Sequence, residues 1–538
     1  MAMKIAKRKV MKNIILAGII LLTIMVLINS QAVAQVERIP RGGTLKMINA
    51  EPPYLNSALG GGTAVVIPAC QIFAGLLQFD ENYRPRPYLA KKWEISPDGR
   101  IYTFHLEKEA TFHDGKPITS TDVAFSFEMG KKNNPVGEFV FEAVEKVETP
   151  DPFTAIFRLK HPFPACFAAV HPFFLPILPK HIYGEGEIRK HPANVKPTVG
   201  SGPFKFVEWK KGQYMRLDRY ENFFRKGKPY LDRIIIEFIP DPTARTIALE
   251  TGAAHLIPHG HTPPADLPRL EKLPHLALSK KGFEALGLRG IIQINHRKPP
   301  LNNVKVRKAI AHSIDKNFFI ESLSGYAKPA TGPLRYTNPF HNPNLPQYAY
   351  DVVKANQLLD EAGFKKGAGG IRFNLSLSCY PGGQSGSEFL RAQLRKAGIQ
   401  AILHPPPDYA TWVVRISNWD YEIDYAPEGD FAEPVLAIDR AFISKNIKKI
   451  LRTNTMGYTN LEIDRLCADA RVELNFEKRK KLYHRVQEIL MDELPVIWLF
   501  DADLPILYNK DLGGVPMDVW GAINPLDTVF WRKGKVGP

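Results

Sequence analysis

The spacing of apolar residues changes once along this chain, near residue 286, and that change restricts the folds open to it. Before it, apolar residues recur at every second position. Tyr102, Phe104 and Leu106 share one face of 101–106, and Phe204 and Phe206 alternate toward Trp209. Met215–Leu217 follows across the turn Lys211-Gly212, and 233–239 is a run of apolar β-branched residues, the pattern of a strand buried on both faces. One helix is marked in this half: Thr119 stands three residues before Asp122 and opens a helix through Phe127, an acidic variant of the capping box. After residue 286, strands and helices take turns. Residues 290–295 read as a strand. Val306, Ile310, Ile314 and Phe318 predict one amphipathic helix behind the caps Asn302 and Asn303. Ala355, Leu358, Leu359 and Ala362 predict another, stopped by Gly363. Phe373, Leu375 and Leu377 form a strand, Phe389, Leu390, Leu394 and Ala397 a helix, and 399–403 a strand. That order is a βαβ unit and implies a parallel pair. Leu482, Val486, Ile489 and Leu490 mark a helix ending before Pro495, and 496–500 a buried strand. The segment 501–538 has no helical stripe and is too short to stand alone, so it must pack on an earlier part. The fold class is α/β, with a β-rich first lobe and an α/β second lobe. A chain that crosses between lobes more than once makes a hinge, and the cleft beside a hinge is a preferred ligand site.

The amino terminus is an address. Lys4, Lys7, Arg8, Lys9 and Lys12 precede an apolar run from Ile14 to Ile28, and Ala32-Val33-Ala34 follows. A basic segment, a short apolar segment and a small-x-small site together read as a secretory signal peptide over 1–34. The apolar run is shorter than the ~20 residues a membrane span needs. Cleavage after Ala34 leaves 504 of the 538 residues; removing five bases and no acid takes the net charge from +16 to +11. With 44% hydrophobic and 23% charged residues the 538-residue chain can bury a large core, enough for two to four domains. The expected location is a bacterial periplasm. The remaining charge is dispersed, without a basic run interleaved with aromatics, which argues against nucleic acid as a partner. Cys70, Cys166, Cys379 and Cys467 all lie in the exported part; four cysteines allow three pairings, and isolated buried thiols fit equally well.

Motifs of common enzymes are missing. There is no H-E-x-x-H, Gly60-Gly61-Gly62 is not followed by G-K-[ST], and Ser385 lacks the closing glycine of a nucleophile elbow. His255, His259 and His261 are the best metal candidates, but Pro258 and Gly260 break the stretch, so it reads as a polar surface loop and no metal or cofactor is expected.

A series of blocks is similar to a known family. Lys92-Trp93-Glu94-Ile95-Ser96-Pro97-Asp98-Gly99 leads into Phe112-His113-Asp114-Gly115-Lys116-Pro117 and Asp122-Val123; then come Gly200-Ser201-Gly202-Pro203-Phe204, Asn222-Phe223-Phe224 with Gly227-Lys228-Pro229, 304–316 and 358–364. In this order they resemble the family 5 extracellular solute-binding proteins, the dipeptide, oligopeptide and nickel binders of ABC importers. The resemblance implies a two-lobed periplasmic binding protein (type II, cluster C) with an extra β-rich subdomain in lobe I. Lobe I would be 35–285 (subdomain about 80–200) completed by the return segment 500–538, and lobe II 286–499. It implies no enzyme, but a monomeric receptor that closes on a peptide and delivers it to permease subunits and their ATPases. Peptide binders of the family use an acidic residue of lobe II for the ligand's α-amine. The block Gly429-Asp430-Phe431-Ala432-Glu433-Pro434 is similar to the family's G-D-x-x-D-P, which puts that role on Asp430. Trp412 and Trp419 would supply an apolar wall, and Tyr54 would enter the cleft from lobe I. Dipeptide binders add an arginine for the ligand carboxylate; it would fall near Ser378-Cys379-Tyr380, none of which is basic, so strict dipeptide specificity is not expected. Nickel or metal chelates, and oligosaccharides or opines, are the alternative ligands. A secreted hydrolase is the alternative of another class.

Overall fold

The chain carries strand-forming segments from both its ends into one sheet. In the computed structural model, which describes residues 39–258, 260–323, 326–431 and 433–534, seven strands pair in the order Leu276–Ser279, Ile506–Asn509, Leu256–Ile257, Thr44–Ile48, Arg233–Glu237, Tyr214–Arg219 and Phe204–Lys210. Thr44–Ile48 is the hub. It runs parallel to Arg233–Glu237 and to Leu256–Ile257. The last two strands form the antiparallel hairpin predicted across Lys211-Gly212. Ile506–Asn509 slots between Leu276–Ser279 and Leu256–Ile257, and the Trp531 indole donates to the Thr44 carbonyl at 3.3 Å. The closing segment is therefore anchored on the first strand, as its lack of a helical stripe demands.

A second sheet of six described strands runs Ala327–Pro329, Val496–Ala502, Arg289–Ile294, Ile423–Glu428, Phe373–Cys379, Ile399–Leu403. Phe373–Cys379, the helix Gln384–Lys396 and Ile399–Leu403 form the expected parallel βαβ unit. The chain passes between the two sheets twice, once between Ser279 and Arg289 and again between Ala502 and Ile506. A separate antiparallel sheet, Ala90–Ile95, Ile101–Leu106, Thr154–Leu159 and Val144–Asp151, is covered by the helix Ser120–Asn133. Its strand Ile101–Leu106 buries Tyr102, Phe104 and Leu106 as the alternation requires. Phe127 of the helix packs edge-on against Phe157, with ring centroids 5.9 Å apart.

Three local expectations differ. The helix opened by the Thr119–Asp122 capping box continues past Phe127 to Asn133. The strand at 233–239 stops at Glu237 and alternates instead of burying both faces, because Asp241 caps the helix Pro242–Glu250 directly after it. The single helix expected through Val306, Ile310, Ile314 and Phe318 is two, Val304–His312 and Lys316–Leu323. The Ser313 hydroxyl donates back to the Ala309 carbonyl at 2.7 Å, ending the first. Asp315 accepts from the Phe318 amide at 3.0 Å, starting the second. The restart rotates the apolar face by one residue, so Phe318 is 52% exposed and Phe319 is buried.

Candidate functional site

The strand Ile423–Glu428 ends in a turn that holds Asp430. Its carboxylate is buried and accepts from the Arg335 amide at 3.0 Å and from Asn338 Nδ2 at 3.3 Å. Gly287, at φ +53°, faces it so closely that a Cβ there would stand 1.9 Å from Asp430 Oδ1; only glycine fits. The next residue, Phe431, turns its ring to Phe173 and Phe174, at centroid distances of 6.0 and 6.1 Å. The turn thus reaches across to the segment that follows the four-stranded sheet. The second acid of the block, Glu433, does something else. It is buried in a two-pronged ion pair with Arg479, whose Nη1 lies 3.2 Å from Glu433 Oε2. Arg479 belongs to the helix Phe476–Glu493 and lies over the Phe340 ring, 4.9 Å from its centroid.

Asp430 lines a narrow cavity of about 30 Å³ with Arg289, Gln293, Glu428, Arg452 and Trp498. Arg289 Nη2 meets Asp501 at 2.7 Å and Nη1 donates to the Gly332 carbonyl at 3.0 Å. Arg440, on the wall of a larger adjoining cavity, pairs with Glu428. The larger cavity is about 280 Å³, and Thr453 lines both. Pro135 to Glu142 form one of its walls, Arg440 to Arg471 the other. Glu142 bridges the walls, 3.9 Å from Lys445 and 3.8 Å from Arg471. These are wide, half-exposed pairs, each worth under ~1 kcal/mol, so they join the walls without locking them. Fixed charges of both signs therefore surround a space open to a small solute.

The other sequence candidates are not among the residues that line the narrow cavity with Asp430. Trp412, on the helix Tyr409–Ser417, is buried in a small apolar cluster with Ile416, Tyr421 and Ala426. It is not among the residues lining either cavity. Its indole N–H points at the Asp424 carboxylate, 3.2 and 3.3 Å away. Burial pushes that carboxyl up to about 7, against the pull of the Trp412 N–H. A carboxyl raised above its unfolded value favours the fold while protonated. Stability from this group is full below about pH 4 and falls as pH rises through 7. Asp424→Asn should remove that slope: the difference in unfolding free energy between wild type and variant, measured by urea titration, shifts toward the variant from pH 4 to 7. A difference independent of pH would refute it.

Trp419, at φ +64°, stacks under Arg297 (3.9 Å to the ring centroid), with the Lys449 ammonium 5.4 Å away. Its indole leans on the Lys448 carbonyl at 3.4 Å, and Lys448 lines the larger cavity. The half-buried Tyr54 hydroxyl points to the Gly60 carbonyl at 3.4 Å. Gly60 abuts Pro135, also on the larger cavity. Of the histidines, His255 accepts from the Lys46 amide at 3.0 Å and packs edge-on against Trp531. His261 is pulled down to about 4 by burial, and His259 lies outside the described residues. All four cysteines are buried free thiols; burial raises Cys166 to about 12. Spacing could not have found Arg289, Gln293, Arg440 or Arg452. They come from three segments, the strand Arg289–Ile294, the short helix Arg440–Phe442 and the loop at 452, and only the Asp430 block carries a pattern that points to a ligand.

The sequence profile described as "Bacterial extracellular solute-binding proteins, family 5 Middle" matches residues 84–431. The chain is similar to the oligopeptide-binding protein AppA of Bacillus subtilis, at 27% identity over 90% of this chain and 91% of that one. It is similar to heme-binding protein A of Haemophilus influenzae, at 30% identity over 81% and 82%. Its fold is similar to the solved periplasmic binding protein DppA of Helicobacter pylori in complex with the peptide STSA. That match has TM-score 0.79 and 26% identity, covering 92% of this chain and 99% of that one. The two main sheets and the separate four-stranded sheet are thus the two-lobed α/β architecture of periplasmic binding proteins. The chain belongs to the family 5 bacterial extracellular solute-binding proteins, a family of substrate-binding proteins rather than enzymes.

Proposed function

We propose that this protein is exported, loses 1–34 after Ala34, and serves in the periplasm as the monomeric peptide receptor of an ABC importer. The peptide enters between lobe I (35–285 with 500–538, including the subdomain about 80–200) and lobe II (286–499). In support, the seven-stranded sheet draws its strands from 44–279 and 506–509, and the six-stranded sheet from 289–502. A ligand that touches both lobes binds the closed state better and shifts the population toward it. The permease would then meet the closed shape. The observation that carries the reading is the Asp430 carboxylate, buried beside a cavity at the turn where Phe431 meets Phe173 and Phe174. A peptide's α-ammonium entering such a dry place needs a carboxylate there. Relatives named as oligopeptide- and dipeptide-binding proteins point to the same ligand class.

The test is calorimetric titration of the mature protein with a free-amine tripeptide. Asp430→Asn should weaken binding by about 2–5 kcal/mol. N-acetylation of the peptide should weaken it for wild type and change little for the variant. Equal affinity of wild type and variant would reject the amine assignment.

A further inference from the structure

We propose that Arg452 is an anion anchor of this cleft, a residue that fixes a carboxylate of the solute while Asp430 faces its cationic end. The proposal rests on the solute-binding reading above and adds to it a specificity determinant for negatively charged groups.

Other buried or bridging cations on the two cavities already meet carboxylates. Arg289 has Asp501 at 2.7 Å, Arg440 has Glu428, Arg471 has Asp439 at 2.9 Å and Lys445 has Glu142 at 3.9 Å. Arg452 is half-buried, lines the inner cavity, and forms no ion pair among the described residues. A guanidinium held partly out of water without a counter-charge is unfavourable, so its position calls for a partner from outside. The backbone is also held unusually. Arg452 sits at φ +65°, a conformation that costs a non-glycine residue on the order of 1 kcal/mol. Asn454 rivets the loop in that shape: its amide donates to Asn446 at 3.0 Å, and its side chain donates to Ile443 at 3.3 Å and Tyr458 at 2.7 Å.

The wall around Arg452 has unmet donors of its own. Arg289 Nε and Arg440 Nε, each on a residue 2% exposed, have no hydrogen-bond partner among the described residues. Burial pulls Arg440 below the usual arginine range, and the positive charge of Arg452 works the same way against Glu428. An anion beside Arg452 would relieve both guanidinium groups. The anion would be a carboxylate, from a peptide's C-terminus or from an acidic side chain. Guanidinium geometry suits a bidentate carboxylate. Such an anchor also stands where the dipeptide-type arginine does not, since Ser378, Cys379 and Tyr380 are uncharged.

The test uses four probes on wild type, Arg452→Gln and Arg452→Lys: Ala-Ala-Ala, its C-terminal amide, the amide Ala-Glu-Ala-NH₂, and glutarate. Arg452→Gln should weaken the carboxylate-bearing probe by roughly 30-fold or more, leave the tri-alanine amide unchanged, and be partly rescued in Arg452→Lys. Loss confined to Ala-Ala-Ala assigns the C-terminus as the anion; loss confined to Ala-Glu-Ala-NH₂ assigns the side chain. Glutarate binding that depends on Arg452 while no peptide binds would support the anchor and defeat the peptide reading. Peptides that bind Arg452→Gln with the same acid-to-amide ratio as wild type would overturn the anchor and leave the peptide reading standing. Failure of every carboxylate probe to bind wild type would also overturn it. Thermal unfolding of both variants at the wild-type temperature shows that they fold.

Discussion

Arg479→Met alone should lower the unfolding free energy by about 3–5 kcal/mol, and the double variant with Glu433→Leu should recover most of that loss. Both partners are buried, Glu433 at 8% exposure and Arg479 at 4%. Removing the arginine strands a carboxylate where water cannot solvate it. Arg479 also donates through Nε to the Ala470 carbonyl at 3.1 Å, so the single variant frees a helix-end acceptor as well. Replacing both charges with apolar groups removes the stranded ion, and Phe340 and Tyr483 nearby offer the new methyl groups ring surface. Guanidinium titration of wild type, both singles and the double closes the cycle. A double variant as unstable as the worse single would mean that the pair matters through its shape rather than its charge. The site gives a second readout. Glu433 lies three residues after Asp430 and braces its turn, so the singles should also weaken a free-amine peptide. The double should bind nearer to wild type.

That pair also shows what the sequence could and could not disclose. The block Gly429–Pro434 stood out because its two acids sit at a family spacing, and Asp430 does line a cavity. The spacing could not say that Glu433 faces away to a helix almost fifty residues later. Alternation and helical stripes located the strands at 101–106, 204–217 and 373–403, because there one face is buried and the other wet. They misjudged 304–323, where Ser313 and Asp315 hydrogen-bond to backbone and restart the helix, a local event that hydrophobic period does not register. Tryptophan content likewise does not reveal orientation: Trp412 turns into a small core against Asp424, and Trp419 lies under Arg297. The arginines around the cavity were illegible for a different reason. Arg289 stands one residue before the strand pattern at 290–295, which says nothing of its partner, and Arg440 and Arg452 are brought in by tertiary folding from segments with no pattern of their own.

Arg335→Met should cost about 3–5 kcal/mol of stability and should uncouple the Asp430 turn from the second crossing between the sheets. Arg335 is 5% exposed and joins three things. Its amide donates to Asp430 at 3.0 Å. Its Nη2 meets Asp503 at 2.5 Å, and Nη1 donates to the Ala502 carbonyl. Its neighbour Tyr336 adds an amide contact to Asp501 at 3.3 Å and a hydroxyl contact to Asp503 at 3.1 Å. Residues 503–505 are the whole connection between the strand Val496–Ala502 of one sheet and Ile506–Asn509 of the other. A cation drawn to Asp430 pulls on the carboxylate that Arg335 holds, and Arg335 holds the crossing. Hydrogen exchange reads this link directly. In wild type, a free-amine peptide should slow exchange of the amides of Ala502 and Asp503. In Arg335→Met those amides should exchange faster without peptide and gain little protection with it, even at saturating peptide. Undiminished ligand protection in the variant would place the coupling elsewhere. Arg335→Lys separates charge from geometry: an ammonium can still pair with Asp503, but it cannot reach Asp503 and the Ala502 carbonyl with a planar fork. It should therefore restore stability more completely than it restores the protection.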